Sequence, residues 1–323
     1  NALSPQHTLI ADIAMGEPTS STSDSEENPK WFGFVRLLIF AKHKVLESID
    51  NFSTNKNLIP ILAPAGRKAD GYNGYEYPPN RSPDKGGICL YISSMNLLIC
   101  SLHLCGTNAY EIPEADFDSR RINELNIIAE ECHKVIGNNA YDSIICGDLN
   151  FRVEIHNNPE DKTRDGNDFQ AVHAVIKEDH PTSLQHLFRN QDRLCRLLQY
   201  LEGNCNVDAV DERTFSKLDE KAQILMEVRD TIEMHIDNNG QNHDALFLPT
   251  FTFVAAVDSR RGLPASIPRS YSEKRTPSWT DRILVSKRLL QKGWSLDACC
   301  ADHSVLSSDH VPVSAAISFR PTS

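Results

Sequence analysis

The chain of 323 residues carries 33 Lys and Arg against 44 Asp and Glu, a net charge of −11 that repels nucleic acids and anionic membranes at long range. No apolar run approaches the roughly 20 residues of a membrane-spanning helix. Nine Cys residues, an odd number without C-x-x-C spacing, argue against a disulfide framework and a zinc site. We therefore expect a reducing, cytoplasmic location.

Apolar runs rich in Val, Ile, Leu and Phe predict strands that are buried in a sheet. In chain order these runs are 34–40, 87–92, 96–102, 143–147, 250–256, 282–285 and 311–318. Apolar residues recur at helical spacing over 120–136, and residues 183–201 and 215–234 are also helical in pattern. The polar stretch 18–30 and the Pro- and Gly-rich stretch 64–84 indicate loops. The pattern predicts an α/β fold in one domain, 1–323.

Three short polar motifs lie next to the start or the end of a predicted strand. They are Ile144–Arg152 (IICGDLNFR), Lys274–Leu284 (KRTPSWTDRIL) and Ser307–Val313 (SSDHVPV). Each brings an Asp together with Asn, Arg or His in a loop. One such segment is weak evidence, but three in this order are strong evidence for a site that handles phosphate esters.

Asp148 and Asn150 follow a predicted strand and are two residues apart, so in extended geometry they point to the same face. A carboxylate beside an amide suits a base that takes a proton from water and a donor to a phosphoryl oxygen. The alternative is an Asx-rich turn, which is common after a strand.

Asp281 and His310 form a second candidate pair, because a carboxylate commonly fixes the tautomer of an imidazole or stabilises its charged form. The alternative for this pair is an ordinary surface contact. His103 ends a predicted strand, where it is either a phosphate ligand or a core histidine.

The chain resembles the inositol polyphosphate 5-phosphatases, a family of the endonuclease/exonuclease/phosphatase superfamily. GDLNFR (147–152) and RTPSWTDRIL (275–284) look like the two signature motifs of that family. Shorter segments are similar to its central strand, its N-K-G-G turn, its S-H-L strand end and its R-R-N helix start; they are Arg36–Lys42, Asp84–Gly87, Ser101–His103 and Arg120–Asn123. The resemblance runs from about residue 31 to about residue 318.

The resemblance implies a two-sheet α/β sandwich flanked by helices, the DNase I-like four-layer fold. It implies Mg²⁺-dependent removal of the 5-phosphate from phosphoinositide lipids or soluble inositol polyphosphates, by an enzyme peripheral to membranes. The implied catalytic residues are His103, Asp148, Asn150, Asp281 and His310. The implied substrate-binding residues are Lys85, Tyr271, Lys274, Arg275 and Arg282. The implied Mg²⁺ ligands are Glu17 and Asp309.

The chain departs from the family pattern in two places. Asn1–Pro5 looks like the tail of the first family motif, so we expect a truncated N-terminal edge, with the catalytic Asn outside the chain or at its first residue. Glu17 follows at a shorter distance than in the family, so it is either a metal ligand or a solvated turn residue. Phe251 and Thr252 stand where the family has Tyr and Lys, which predicts a weaker dependence on a 4-phosphate.

Two alternatives to a 5-phosphatase stay open at this stage. A nuclease or other phosphodiesterase of the same superfamily is one, although it needs no cation pair such as Lys274–Arg275 for a neighbouring phosphate. A phosphoinositide-binding homologue without catalysis is the other, and the shortened N-terminal segment favours it. We expect no nucleic-acid partner.

Overall fold

The computed structural model describes residues 7–15, 35–42, 57–64, 85–106, 114–155, 164–178, 180–203, 209–239, 246–253, 270–272, 275–304 and 308–319. The strands are β1 (His7–Met15), β2 (Val35–Lys42), β3 (Leu58–Pro64), β4 (Gly86–Ile92), β5 (Leu97–His103), β6 (Asp142–Asp148), β7 (Val228–Asp230), β8 (Asp281–Ser286), β9 (Trp294–Ala301) and β10 (Val313–Phe319). The helices are α1 (Glu114–Ile136), α2 (Arg164–Glu178), α3 (Pro181–Gln191), α4 (Arg193–Leu201), α5 (Ala209–Phe215), α6 (Glu220–Leu225), α7 (Thr231–Asn239) and α8 (Lys287–Gln291).

A six-stranded sheet forms the centre of the described part of the chain, in the order β3-β4-β5-β6-β8-β7. Strands β5 and β6 are parallel and are joined through α1, whereas the other neighbours are antiparallel. Strand β4 is buried along almost its whole length, which explains its continuous apolar sequence.

The two faces of this sheet carry different cores. On one face, Cys89, Leu98 and Ile145 pack with apolar residues of α1, α4, α5 and α6. On the other face, Ile88 and Leu90 pack against the β1–β2 hairpin. A second hairpin, β9–β10, contacts the sheet at β8. The predicted α/β sandwich flanked by helices is confirmed, and its second β layer consists of two separate hairpins among the described residues.

Helix α1 confirms the helical periodicity of residues 120–136 and extends it toward the N-terminus. Ile122, Leu125 and Ile128 are fully buried against the sheet. Among the apolar residues that recur at helical spacing in this helix, Val135 is the one that points outward, and it is 41% exposed. No helix in the described ranges is long and apolar enough to cross a membrane.

The two other predicted helices are interrupted. Residues 183–201 form α3 and α4, separated at Asp192, whose side chain accepts the N–H of Cys195 at 3.0 Å and caps α4. The prediction of one helix over 215–234 is wrong, because that stretch contains the end of α5, then α6, β7 and the start of α7. Asp219 caps α6 in the same manner. At both places a capping Asp begins a new helix where the periodicity alone suggests that one helix continues.

Most predicted strands are confirmed within one or two residues, but 250–256 is not a regular strand. Phe251 and Phe253 make only isolated bridges, and residues 254–256 lie outside the described ranges. Strands β3 and β9, helices α2 and α8, and most of helix α5 were not predicted. The single domain 1–323 and the truncated N-terminal edge stay predictions.

Candidate active site

Three predicted catalytic residues lie side by side at one edge of the central sheet. His103 ends β5 and is paired in register with Asp148, which ends β6, and Asp148 is paired with Asp281, which begins β8. The parallel pairing of β5 with β6 and the antiparallel pairing of β6 with β8 bring these three positions to the same edge. The fold therefore joins the two signature segments, which are far apart in the sequence.

Gly147 makes this close pairing possible. Its φ is +133°, and a Cβ at this position would lie 2.0 Å from the carbonyl oxygen of Leu102. Any side chain would therefore push β6 away from β5. The glycine of the GDLNFR segment is required by the approach of the two strands that carry His103 and Asp148.

His310 completes the group from the loop before β10. Its Nδ1 atom lies 3.0 Å from Oδ2 and 3.2 Å from Oδ1 of Asp281, and its Nε2 atom lies 3.8 Å from Oδ2 of Asp148. Burial alone would lower the pKa of His310, but the hydrogen bond and charge of Asp281, with the charges of Asp148 and Asp309, outweigh it and raise the pKa above its ordinary value. The geometry favours a charged imidazole with Nε2 facing Asp148.

The raised pKa of His310 leads to a prediction for Asp281→Asn. Loss of the Asp281 carboxylate removes the hydrogen bond and the largest of the charges that offset the burial penalty, so the titration midpoint of His310 should move to lower pH than in the wild type. The stability contributed by the wild-type pair is present below the unfolded pKa of His, about 6.5, and is lost as pH rises through the raised folded pKa. NMR titration of the His310 ring measures the shift, and equal midpoints in the two proteins would contradict it.

Two buried hydroxyl groups hold Asp281, and the sequence analysis missed both. Thr250 Oγ1 donates to Oδ2 of Asp281 at 2.8 Å, and Thr280 Oγ1 donates to the same oxygen at 3.0 Å. Both threonines are fully buried. Thr280 is adjacent to Asp281 in the motif, but Thr250 is 31 residues away, so only the fold shows this contact. Together these bonds fix the carboxylate that orients His310.

Thr250→Val is expected to lower kcat by about tenfold, because hydrogen bonds to charged groups contribute roughly 1.5–3 kcal/mol and Val removes the donor at similar volume. Thr250→Ser retains the hydroxyl and serves as the matched control, with kcat within about threefold of the wild type. Steady-state kinetics on the two variants decides the point. Equal losses in both would indicate that packing of the methyl group matters and the hydroxyl does not.

A second imidazole and a cation flank Asp148 on its other side. His103 Nε2 lies 3.6 Å from Oδ2 of Asp148, and the ammonium of Lys85 forms a short hydrogen bond with the same Nε2 atom. Oδ1 of Asp148 accepts the backbone N–H of Asn150 at 3.1 Å. The structure therefore brings Lys85, His103 and Asp148 together.

Asn150 holds the loop in which it lies. Its φ is +57°, in the left-handed region that Asn tolerates better than most residues. Its Nδ2 atom donates to Leu104 O at 2.9 Å, and its Oδ1 atom accepts from Nη2 of Arg152 at 2.8 Å. The Asx turn of the alternative is formed by Asp148, which accepts the Asn150 N–H. The contact with Leu104 O uses one of the two Nδ2 protons of Asn150, so its donation to a phosphoryl oxygen stays a prediction.

Arg275 and His310 both contact the ring of Phe251. The Cζ atom of Arg275 lies 5.5 Å from the centre of this ring, Arg152 lies over it at 4.2 Å, and the His310 ring lies 4.4 Å from it. Of the predicted substrate-binding cations, Lys85 contacts a candidate catalytic residue directly, and Arg275 shares an aromatic neighbour with one.

Arg282 was predicted to bind substrate, and the structure contradicts this. Its side chain is fully buried, with Nε donating to Asp230 at 2.7 Å and Nη1 donating to both carboxylate oxygens of Asp192 at 3.0 Å. Its charged partners, Asp192 and Asp230, are themselves fully buried, so Arg282 stabilises the core and is not placed to bind substrate.

Tyr271 also differs from prediction. The hydroxyl of Tyr271 donates to Pro249 O at 2.8 Å, and the ring is buried and stacks on Phe253. Asp309 is exposed. Its predicted partner Glu17 lies outside the described ranges, as does Lys274, so the roles of Asp309, Glu17 and Lys274 stay predictions.

The carboxylates of Asp148 and Asp281 could hold a divalent metal ion, and His310 could join them as a ligand only in its neutral form. One ligand atom from each lies within 4.8 Å of the others. Two carboxylates fit a hard cation such as Mg²⁺, which prefers oxygen ligands and few protein contacts. A bound divalent cation at this position would supply positive charge to phosphoryl oxygens and lower the pKa of bound water.

Comparison with known proteins supports the superfamily. Residues 167–316 match the family model "Endonuclease/Exonuclease/phosphatase family 2". The solved inositol polyphosphate 5-phosphatase domain of SPsynaptojanin, in complex with inositol (1,4)-bisphosphate and calcium ion, matches 97% of this chain with TM-score 0.51 and 18% identity. The chain spans 63% of the length of that structure. A comparison with curated protein sequences finds no significant match.

Two further structures are less similar. A Cimex nitrophorin ferrous NO complex matches 97% of this chain and 74% of its own chain, with TM-score 0.48 and 14% identity. The 3'-5' exonuclease NExo from Neisseria meningitidis matches 75% of this chain and 68% of its own, with TM-score 0.35 and 14% identity. The comparisons thus agree with the motif resemblance at the level of the fold: the chain has the fold of the solved 5-phosphatase domain, and its residues 167–316, less than half of the chain, match the endonuclease/exonuclease/phosphatase family model.

Proposed function

We propose that this protein is a Mg²⁺-dependent phosphatase that removes the 5-phosphate from an inositol ring. The observation that carries the proposal is the line of Asp281, His310 and Asp148 at the sheet edge, with separations of 3.0 Å and 3.8 Å. These residues place a carboxylate, which can accept a proton from water, next to a charged imidazole, which can stabilise the phosphoryl group. Hydrolysis of a phosphate ester uses both groups. The superfamily fold and the two signature segments favour phosphoester hydrolysis over other uses of this arrangement.

In the proposed mechanism, Asp148 accepts the proton of the attacking water and His310 stabilises charge on the transferring phosphoryl group. Asp281 keeps the proton of His310 on Nδ1, so that Nε2–H faces the substrate. Lys85 and Arg275 supply further positive charge, which is worth more in a partly buried site than in water. Each of these residues is positioned by the contacts given above before any substrate binds.

The inositol substrate is proposed from the motif resemblance and from the ligand named for the SPsynaptojanin structure. The net charge of −11 disfavours DNA, so the polyanionic substrate must be attracted locally, by Lys85 and Arg275. A cytoplasmic, membrane-peripheral location follows for a phosphoinositide substrate and is part of this proposal.

The test is phosphate release by the purified chain from inositol 1,4,5-trisphosphate, with Mg²⁺ and with a chelator in its place. Inositol 1,4-bisphosphate, which lacks the 5-phosphate, is the matched control. Vesicles that contain phosphatidylinositol 4,5-bisphosphate distinguish a lipid substrate from a soluble one, and duplex DNA tests nuclease activity. We expect release from the 5-phosphorylated compounds only, and only with Mg²⁺. Cleavage of DNA alone would make the protein a nuclease, and binding without turnover would make it a non-catalytic phosphoinositide-binding protein.

The same assay tests the dependence on a 4-phosphate. Thr252 is buried and its carbonyl oxygen accepts the N–H of Ser272 at 2.9 Å, so no ammonium is present where the family has Lys. We expect kcat/KM to fall by less than about tenfold when the 4-phosphate is removed, because one charge-assisted contact is missing. Wild-type protein gives the clearest answer, since a buried Lys in place of Thr252 would disturb the packing. A fall of a hundredfold or more would contradict the expectation.

A further inference from the structure

Two buried side chains of α1 hold both backbone groups of one loop residue, Cys105. Oε2 of Glu124 accepts the N–H of Cys105 at 2.7 Å, and Nε of Arg121 donates to the carbonyl oxygen of Cys105 at 3.1 Å. Arg121 is fully buried and Glu124 is 8% exposed. Arg121 is in turn fixed by Asp118, whose Oδ1 atom accepts from Nη1 at 2.7 Å. The loop after β5 is therefore anchored to α1 from both sides.

The anchored loop makes direct contact with the candidate active site. Leu104, next to Cys105, donates its N–H to Asp148 O at 3.0 Å, and its carbonyl oxygen accepts Nδ2 of Asn150 at 2.9 Å. A Cβ on Gly106 would lie 3.4 Å from Oδ1 of Asn150. His103 is two residues before Cys105 and neighbours Asp148. A displacement of Cys105 would thus move groups on both sides of Asp148.

We propose that Glu124 is a positioning residue, which together with Arg121 clamps Cys105 and so sets His103 and Asn150 in the site. Glu124 touches no substrate and acts through the backbone of the loop. Burying a carboxylate costs free energy unless hydrogen bonds or cations compensate it. One compensating hydrogen bond comes from the N–H of Cys105, whose neighbour Leu104 donates its own N–H to Asp148 O. The effect on turnover rests on the proposed function, whereas the effect on the loop does not.

The ionisation of Glu124 provides a second measurement, the dependence of stability on pH. Burial raises the pKa of Glu124 to about 7, against the opposing effects of the Cys105 N–H and of the nearby cations Arg121, Lys85 and Arg120. An acid whose folded pKa is raised binds more protons in the folded state, so stability falls as pH rises from the ordinary value toward the raised one. Glu124→Gln removes this ionisation and retains an oxygen that accepts the Cys105 N–H.

The test compares Glu124→Gln with Glu124→Met, in which a flexible side chain of similar length has no acceptor. Hydrogen exchange of the Cys105 amide is expected to accelerate by at least about tenfold in Glu124→Met and to stay within about threefold in Glu124→Gln. Ile136→Ala, a buried change at the opposite end of α1, controls for general loosening of the helix. Equal exchange at Cys105 in Glu124→Met and Ile136→Ala would overturn the clamp.

Turnover provides the functional half of the test. Glu124→Met should lower kcat by about tenfold to a hundredfold with KM within about threefold, and Glu124→Gln should keep most of the activity. If the wild type releases no phosphate, the proposed function fails, and the exchange result still decides the clamp. Loss of activity in Glu124→Gln equal to that in Glu124→Met would overturn the positioning role.

A pH series covers the case in which Glu124→Met does not fold. The difference in unfolding free energy between wild type and Glu124→Gln should become less favourable to the wild type as pH rises from about 5.5 to about 7.5. Parallel stability curves would contradict the raised pKa of Glu124. Exchange of the Cys105 amide in Glu124→Gln at the rate of an exposed amide would reject the clamp.

Discussion

Asp148→Asn is expected to lower kcat by about 10²- to 10⁴-fold, the range for a positioned general base. Asn retains the size of Asp148 and can accept the N–H of Asn150, which the Asp148 Oδ1 atom accepts at 3.1 Å. It cannot take a proton from water, and it removes the negative charge that faces His103 and His310. KM should change little, because the cations proposed to bind the substrate, Lys85 and Arg275, are untouched.

His310→Ala tests the opposite side of the same pair, with an expected loss of about 10²-fold or more. Circular dichroism and thermal unfolding on both variants check that the fold is intact. His173→Ala is a useful control, because the ring of His173 packs against the rings of Phe169 and Tyr271. Either variant with more than about a tenth of wild-type kcat would remove the role given to that residue.

Arg282→Met is expected to destabilise the fold by about 3–5 kcal/mol, the range for breaking one partner out of a buried ion pair. The change leaves Asp192 and Asp230 buried without their common cation. It also removes the donor to Trp279 O, which Arg282 contacts at 2.9 Å. Because Asp192 caps α4, the loss extends to the start of that helix.

Urea unfolding measures this loss, and Arg36→Met is the matched control. Arg36 pairs with Asp12 on the surface, with about half of its side chain exposed, so its loss should leave the unfolding midpoint almost unchanged. The folded fraction of Arg282→Met should keep a wild-type KM. A stable Arg282→Met protein with a raised KM would restore the substrate-binding role that the motif resemblance implies.

The case of Arg282 shows why part of the site could not be read from the sequence. Arg275 and Arg282 are seven residues apart in one motif, and nothing in the local pattern separates a cation near the site from one inside the core. The partners of Arg282 decide its role, and they are 90 and 52 residues away along the chain. The same is true of Thr250 and Glu124, whose contacts form only when distant elements pack.

The residues that could be predicted are those whose local pattern determines their position. Asp148 and His103 end apolar runs, and parallel neighbouring strands bring such ends to one edge of a sheet. Gly147 could be recognised in the motif, although the approach of Leu102 that requires it appears only in the fold. The break at Asp192 was missed because periodicity alone does not distinguish a capping Asp from an exposed helical one.

The central claim is that Asp148, Asp281 and His310 form one site that hydrolyses a single phosphate of an inositol ring. Phosphorus NMR of inositol 1,4,5-trisphosphate incubated with the protein and Mg²⁺, beside Asp148→Asn, tests this most directly. The wild type is expected to release one equivalent of phosphate and leave inositol 1,4-bisphosphate, and the variant to leave the substrate intact over the same time. Release from another position, no release by the wild type, or equal release by the variant would contradict the account.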